Sequence, residues 1–366
     1  MSKYWNKKIN GITPYTAGEQ PKPGQKVIKL NTNENPYPPT PLAGDVLKEF
    51  NLDTLRLYPD TSASAFREAV AEVEGVKPEM VFAGNGSDEV LALCFQTFFE
   101  KSSFTDLPVL TPDFSYSFYP VFEEFYDIRS KKIPLREDFR LEKEDYVNVP
   151  CCGITIANPN APTSRAISLE DIDYICKSNP DVVVIIDEAY VDFEEDYKTA
   201  VSLLPDNPNL CVVKTLSKGY SLAGLRMGYA LASEELIEGL LRARDCFNSY
   251  PTDRIAQAVA TAAVKDRDYH RACIDKVIAA RKFTVDCLRE MGFDIPNPSA
   301  NFIFAKPPAG TRARDLYQNL RSKGILVRYF DTEGINDRLR ISIGTKEEME
   351  ELVKAIKEEI GDGKNS

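Results

Sequence analysis

Apolar residues along this chain fall into short runs separated by longer stretches with helical spacing. The runs at 80–83, 108–110, 153–157, 182–186, 210–214 and 227–231 have strand length, and most are followed by amphipathic segments. Residues 182–186 read Val-Val-Val-Ile-Ile without polar alternation, the pattern of a central parallel strand covered by helices on both faces. Helical spacing is predicted at 47–50, 62–74 and 89–99. It returns over 254–290, where Ile255, Val259, Ala263, Ile274, Val277 and Phe283 recur along one spine.

This order predicts an α/β fold with a large domain at 41–275 built on a central, mostly parallel sheet. Beyond it, strands near 301–305, 325–329 and 339–343, with helices at 312–322 and 346–359, predict a small α+β domain at 276–366. Residues 1–40, rich in Pro, Asn, Gly and Thr, cannot carry a core of their own and read as an arm joining the small domain.

Composition narrows the chemistry. The 366 residues are 43% apolar and 28% charged, enough for two folded domains and incompatible with disorder throughout. A formal charge of -11 disfavours nucleic acid and anionic membranes as partners. Eight dispersed cysteines without a CxxC pair read as reduced thiols, and no stretch resembles a signal peptide or membrane span, so the predicted location is the cytoplasm. The single histidine, His270, excludes Ser-His-Asp, Cys-His and multi-histidine zinc sites; no metal is predicted, and His270 itself reads as a surface residue.

Three strand ends carry candidate chemistry. Asp187-Glu-Ala-Tyr190 follows the buried run at 182–186, placing a carboxylate where an open α/β sheet binds ligands, although such a carboxylate also serves as a helix cap or turn residue. Thr215-Leu-Ser-Lys218 follows the next run, and a lysine there can attack an aldehyde once deprotonated. Its neighbouring hydroxyls and Arg226 suit a phosphate dianion. Gly84-Asn-Gly-Ser87-Asp88 leads from a strand into a helix whose first amides can hold phosphate, though a plain capped turn has the same composition. The loop lacks the spacing of a P-loop or dinucleotide fingerprint, which counts against ATP and NAD.

Asn158-Pro-Asn-Ala-Pro-Thr163, Asp187-Glu-Ala-Tyr190 and Ser217-Lys218 with Arg226 resemble the fold type I pyridoxal-phosphate aminotransferases. Ile12-Thr-Pro-Tyr15, the stretch 30–36 and Leu57-Tyr-Pro-Asp60 resemble more closely the histidinol-phosphate branch of that family. The likeness runs from about Gly11 to Ile360 and implies pyridoxal 5'-phosphate as cofactor.

On this resemblance Lys218 would carry the cofactor as a Schiff base and move the proton, Asp187 would pair with the pyridine nitrogen, and Tyr190 would donate to the ring oxygen. Ser87, Asp88, Ser217 and Arg226 would hold the cofactor phosphate. Tyr116 would stack on the ring, with Tyr119 as the alternative; both also read as core aromatics. Tyr58 would reach the phosphate of a neighbouring subunit, making the protein a homodimer.

Arg340 would bind the substrate anion, with Arg328 and Tyr15 as further contacts, while Asn301 would position the substrate carboxylate or cap a turn. Arg328 and Arg340 also read as exposed edge-strand charges, and Tyr15 as a surface anchor. One departure stands out. Where the family has Asn-Asn-Pro-Thr-Gly, this chain has Asn160-Ala161-Pro-Thr-Ser164, so the ring oxygen falls to Asn158, Asn160 or Tyr190 alone.

The implied reaction is transamination of L-histidinol phosphate with 2-oxoglutarate, the reverse of a step in histidine biosynthesis, with small-molecule amines and 2-oxo acids as partners. Competing readings are an aminotransferase for aromatic or other amino acids, an O-phospho-amino-acid decarboxylase, and a non-catalytic cofactor-binding protein.

Overall fold

The computed structural model describes residues 2–362 except 15–17, 23, 25 and 197. Its strands, in chain order, begin with β1 (Ile28–Lys29), β2 (Val81–Gly84), β3 (Val109–Pro112) and β4 (Ser130–Ile133). They continue with β5 (Gly153–Ala157), β6 (Val184–Asp187), β7 (Leu210–Thr215) and β8 (Gly228–Ala232). The remainder are β9 (Phe302–Ala305), β10 (Ile325–Leu326), β11 (Arg328–Tyr329) and β12 (Leu339–Ser342).

Seven strands form one sheet in the order β2-β8-β7-β6-β5-β3-β4, parallel except for β8. Its interior strands are fully buried, and alternate residues enter different cores: Val184, Ile186 and Val212 on one face, Ile185, Cys211 and Val213 on the other. This places Asp187 on the face of Ile185 and Glu188 on the opposite face. Sequence reading missed β4, because Ser130, Lys131 and Lys132 are exposed at the sheet edge and only Ile133 is buried.

The periodic stretch at 254–290 is two helices, Arg254–Lys265 and Arg267–Glu290. Asp266 interrupts it, its carboxylate accepting from the Tyr269 amide as an N-cap. The boundary drawn between 275 and 276 falls inside the second helix, whose Ile274, Val277 and Leu288 pack into a separate apolar cluster with β9, β12 and the helix Lys346–Asp362.

The stretch read as one strand at 325–329 divides between two sheets. β10 pairs in parallel with β1 from the arm, whereas β11 pairs antiparallel with β12, which continues to β9. Leu30, just after β1, is buried in the small-domain cluster, and its carbonyl accepts from the Ser342 amide. The arm is thereby threaded between the small sheet and the mouth of the large one.

Candidate active site

The large-sheet segments with candidate chemistry emerge at one edge of the sheet. Parallel strands β2, β3, β5, β6 and β7 end there, and antiparallel β8 starts there, so Ser87, Tyr116, Ala161, Asp187, Lys218 and Arg226 line a single cavity. From the other side the cavity is closed by Asn31, Thr32 and Asn33 of the arm and by Arg328, Phe330 and Arg340 of the small domain.

Lys218 is half-buried, and its Nζ donates to the Thr32 carbonyl at 3.2 Å. Burial, reinforced by the positive charge of Arg340, lowers its pKa to about 8. About a tenth is therefore unprotonated and nucleophilic at pH 7, against a far smaller share for an ordinary lysine. The Asn35 side chain fixes the same segment by donating to the Lys218 and Gly219 carbonyls at 3.1 and 3.3 Å.

Asp187 is buried. Its Oδ2 accepts from the Tyr119 hydroxyl at 2.9 Å, and its Oδ1 from the Ala189 amide at 3.2 Å. Those bonds favour the anion, but desolvation outweighs them and lifts the carboxyl to about 6. Such a site favours a cationic partner for the carboxylate. Tyr119, the alternative ring-stacking residue, instead orients this acid; the hydrogen bond pairs residues 68 positions apart and has no signature in sequence spacing.

Tyr116 lines the cavity and donates to Asp88 Oδ1 at 2.8 Å. Burial, with the Asp88 charge behind it, pushes its phenol well above the ordinary range and keeps it neutral. The Tyr190 phenol is likewise raised, first by burial. Its oxygen accepts from Asn33 Nδ2 at 3.1 Å, leaving the phenolic proton for an acceptor in the cavity.

The end of the cavity lined by Ser87 and Arg226 depends on close backbone approach. Gly86, at φ +80°, opens the helix Gly86–Phe98, and a Cβ there would collide with the Arg226 guanidinium. A Cβ at Gly228 would collide with the Ser87 amide. Thr215 Oγ1 and Ser217 Oγ lie 3.0 Å apart beside these groups.

Not every sequence-selected residue reaches the cavity. Asn158 is spent on a local turn, accepting from the Ile167 amide and donating to its carbonyl. Asn160 donates to the Phe114 carbonyl and Thr163 Oγ1 and accepts from Ser115 Oγ. Neither lines the cavity, so among the three candidates for the ring oxygen only Tyr190 does. Ser164 takes the left-handed conformation, φ +62°, that a glycine adopts readily. Its buried Oγ accepts from the Ala300 amide, offsetting part of that cost.

Asn301 lies behind the site, donating to the Asn33 carbonyl at 3.0 Å. Tyr58 is exposed and stacks on Tyr250 outside its own chain's cavity. Tyr15 lies outside the described residues. His270 is half-buried rather than superficial: its ring stacks on Tyr220, and its Nε2 lies 3.8 Å from Asp192 Oδ2. Sequence reading gave no individual role to Asn33 or Phe330; Asn33 lay inside the stretch 30–36 that carries the family resemblance, and Phe330 was an aromatic close to Arg328.

Among the described residues no helix is long and apolar enough to cross a membrane. The sequence profile of the aminotransferase class I and II family matches residues 25–356. A histidinol-phosphate aminotransferase of Chromohalobacter salexigens is 48% identical over 356 residues, covering 97% of this chain and 99% of that protein. The enzyme of that name from Clostridium botulinum is 47% identical over 357 residues, with 98% of each covered. In structure, the histidinol-phosphate aminotransferase of Sinorhizobium meliloti, solved in complex with pyridoxal-5'-phosphate, superposes with a TM-score of 0.86 at 23% identity, covering 99% of each chain. The chain belongs to the class I and II aminotransferases, in the histidinol-phosphate aminotransferase branch of that family.

Proposed function

We propose that this protein transfers an amino group between L-histidinol phosphate and 2-oxoglutarate with pyridoxal 5'-phosphate as cofactor. In the biosynthetic direction glutamate is the donor and imidazole-acetol phosphate the acceptor, a step of histidine biosynthesis. The observation that carries this reading is the shared cavity, which gathers Lys218, Asp187 and Arg226 with a second pair of cations, Arg328 and Arg340.

The cavity fits the cofactor feature by feature. A lysine amine depressed to about 8 answers its aldehyde, a carboxyl raised by burial answers a protonated pyridine nitrogen, and Tyr116 offers a flat aromatic face. Ser87, Ser217 and Arg226, with the amides that open the helix Gly86–Phe98, answer its phosphate. When bound, pyridoxal phosphate supplies the sink for the electrons released at the substrate's α carbon.

The remaining work is done by the chain's own side chains. Lys218 Nζ, held toward the cavity by Thr32, would take the proton from the substrate's α carbon and deliver it to the cofactor carbon that keeps the amino group. Asp187, kept in place by Tyr119, holds the negative charge that keeps a ring cation bound. Tyr190, oriented by Asn33, donates its phenolic proton to the ring oxygen. The arm and small domain cover the site and limit water.

A homodimer belongs to this reading. Tyr58 is 76% exposed amid Leu52, Leu55 and Leu57, also exposed, and in a dimer it would complete the partner's phosphate site.

The deciding experiment supplies the holoenzyme with L-histidinol phosphate and 2-oxoglutarate and follows glutamate. Glutamate should form, and faster than with phenylalanine or tyrosine as donor. Absence of glutamate with L-histidinol phosphate as donor, or preference for the aromatic donors, overturns the substrate assignment.

A further inference from the structure

Arg328 and Arg340 stand directly opposite each other in the antiparallel pair of β11 and β12, and both line the cavity. Like charges at directly opposed positions repel, and more strongly where the surroundings are poorly solvated. The sheet alone therefore drives these guanidinium groups apart.

Phe330 counters this. Two residues beyond Arg328, it projects to the same side of the chain and lines the same cavity. Its ring centroid is 5.4 Å from Arg328 Cζ and 5.6 Å from Arg340 Cζ, so one aromatic ring lies within cation–π reach of both cations. The ring is anchored against Phe139, Phe304 and Ile335. Arg340 is further steadied by the Phe302 ring at 5.5 Å and by donating to the Asn31 carbonyl at 2.9 Å. An aromatic ring stabilises a guanidinium without neutralising it. A carboxylate in the same place would cancel the charge a ligand needs.

We infer that Phe330 is a positioning residue: its ring holds Arg328 and Arg340 together as a paired receptor for one phosphate dianion on the substrate. A phosphate can engage two guanidinium groups at once, whereas a single carboxylate is satisfied by one bidentate arginine. Loss of the ring should therefore weaken recognition of the phosphorylated amine more than that of the dicarboxylate. This rests on the substrate reading proposed above.

The test compares wild-type holoenzyme with Phe330→Leu and Phe330→Tyr, measuring KM and kcat for L-histidinol phosphate and for glutamate, and inhibition of the glutamate reaction by inorganic phosphate. Phe330→Leu should raise KM for L-histidinol phosphate about 3- to 30-fold, the span of one to two lost cation–π contacts, with the larger effect on KM than on kcat. The glutamate KM should rise by less, phosphate inhibition should weaken, and Phe330→Tyr, which keeps the ring face, should restore all three. Equal KM increases for both substrates, or unchanged phosphate inhibition, overturns the inference. If Phe330→Leu does not fold, Phe330→Met, which keeps bulk without a π face, is measured in the same way. If the wild type fails to use L-histidinol phosphate, the substrate assignment falls, while the phosphate-inhibition comparison still decides the role of Phe330.

Discussion

The wall of the cavity formed by the large sheet and the wall formed by the arm and small domain are built differently. On the sheet side, Asp187, Lys218 and Arg226 sit within a few residues of the strands that position them, and short buried strands in fixed register leave their side chains little freedom. On the opposite side, Asn33, Arg328 and Arg340 come from segments about 300 residues apart, joined by two-residue ladders and by single bonds such as Asn33 amide to Ser342 Oγ. The first wall carries groups with altered acidity, the second carries cations held by rings and carbonyls. Under the proposed function, the sheet wall handles the cofactor and the assembled wall selects the substrate anion.

The largest effect should come from Lys218→Ala, which removes the amine that the sheet wall presents to the cavity. Transamination followed by glutamate release should fall by about 10⁴-fold or more, since general acid–base transfer by one residue accounts for about 10²–10⁴ and covalent anchoring is lost as well. Retained turnover would transfer the chemistry to another group.

Asp187→Asn should lower kcat by about 10²–10³-fold, the scale of losing one preorganised electrostatic partner, while sparing the fold. The folded carboxyl is raised to about 6 from an ordinary value near 4, so its contribution to stability is complete below about pH 4 and is lost as pH rises through 6. The melting temperature of the wild-type apoprotein, measured relative to the Asn variant, should therefore decline between pH 4 and 7. A flat difference would place Asp187 in contact with water.

Arg340→Ala attacks the assembled wall and should raise KM for both the phosphorylated amine and the dicarboxylate by about 10- to 100-fold, as expected for a lost charged hydrogen bond. It should also reach across the cavity. Removing this positive charge raises the Lys218 pKa, so the pH midpoint for cofactor capture by the apoprotein should move upward from about 8. An unmoved midpoint would mean that the two walls act independently.

The smallest effect should be that of Ser164→Ala, at the seam where the sheet-side loop meets Ala300. The left-handed backbone stays strained while the Oγ bond is lost, costing about 1–2 kcal/mol in denaturant unfolding with little change in kcat. Ser164→Gly loses the same bond but relieves the strain, and should be less destabilised than the alanine variant.

These contrasts match what could be read in advance. The core of β6 was legible because the uninterrupted Val and Ile run at 182–186 has few alternatives to burial, and those of β5 and β7 because short apolar runs recur there; Asp187 directly follows the first run, and Lys218 comes four residues after the run at 210–214. Edge strand β4 was not, since solvent on its exposed side removes the apolar pattern. Asn158 and Asn160 were expected at the cofactor from the family resemblance, yet Asn158 is used within the turn after β5 and Asn160 ties that turn to Phe114 and Ser115 after β3.

The sequence by itself determined the layered α/β architecture and placed Asp187 and Lys218 at strand ends, because local burial and strand ends are properties of contiguous residues; their roles as acid and amine were implied by the family resemblance. Only the tertiary structure decided that Tyr119 holds Asp187, that Asn33 and Thr32 reach Tyr190 and Lys218 from the arm, and that Phe330 lies against two opposed arginines. Those contacts depend on how separate segments close over one another, and the free energy that fixes them comes from packing between elements rather than from the pattern within any one of them.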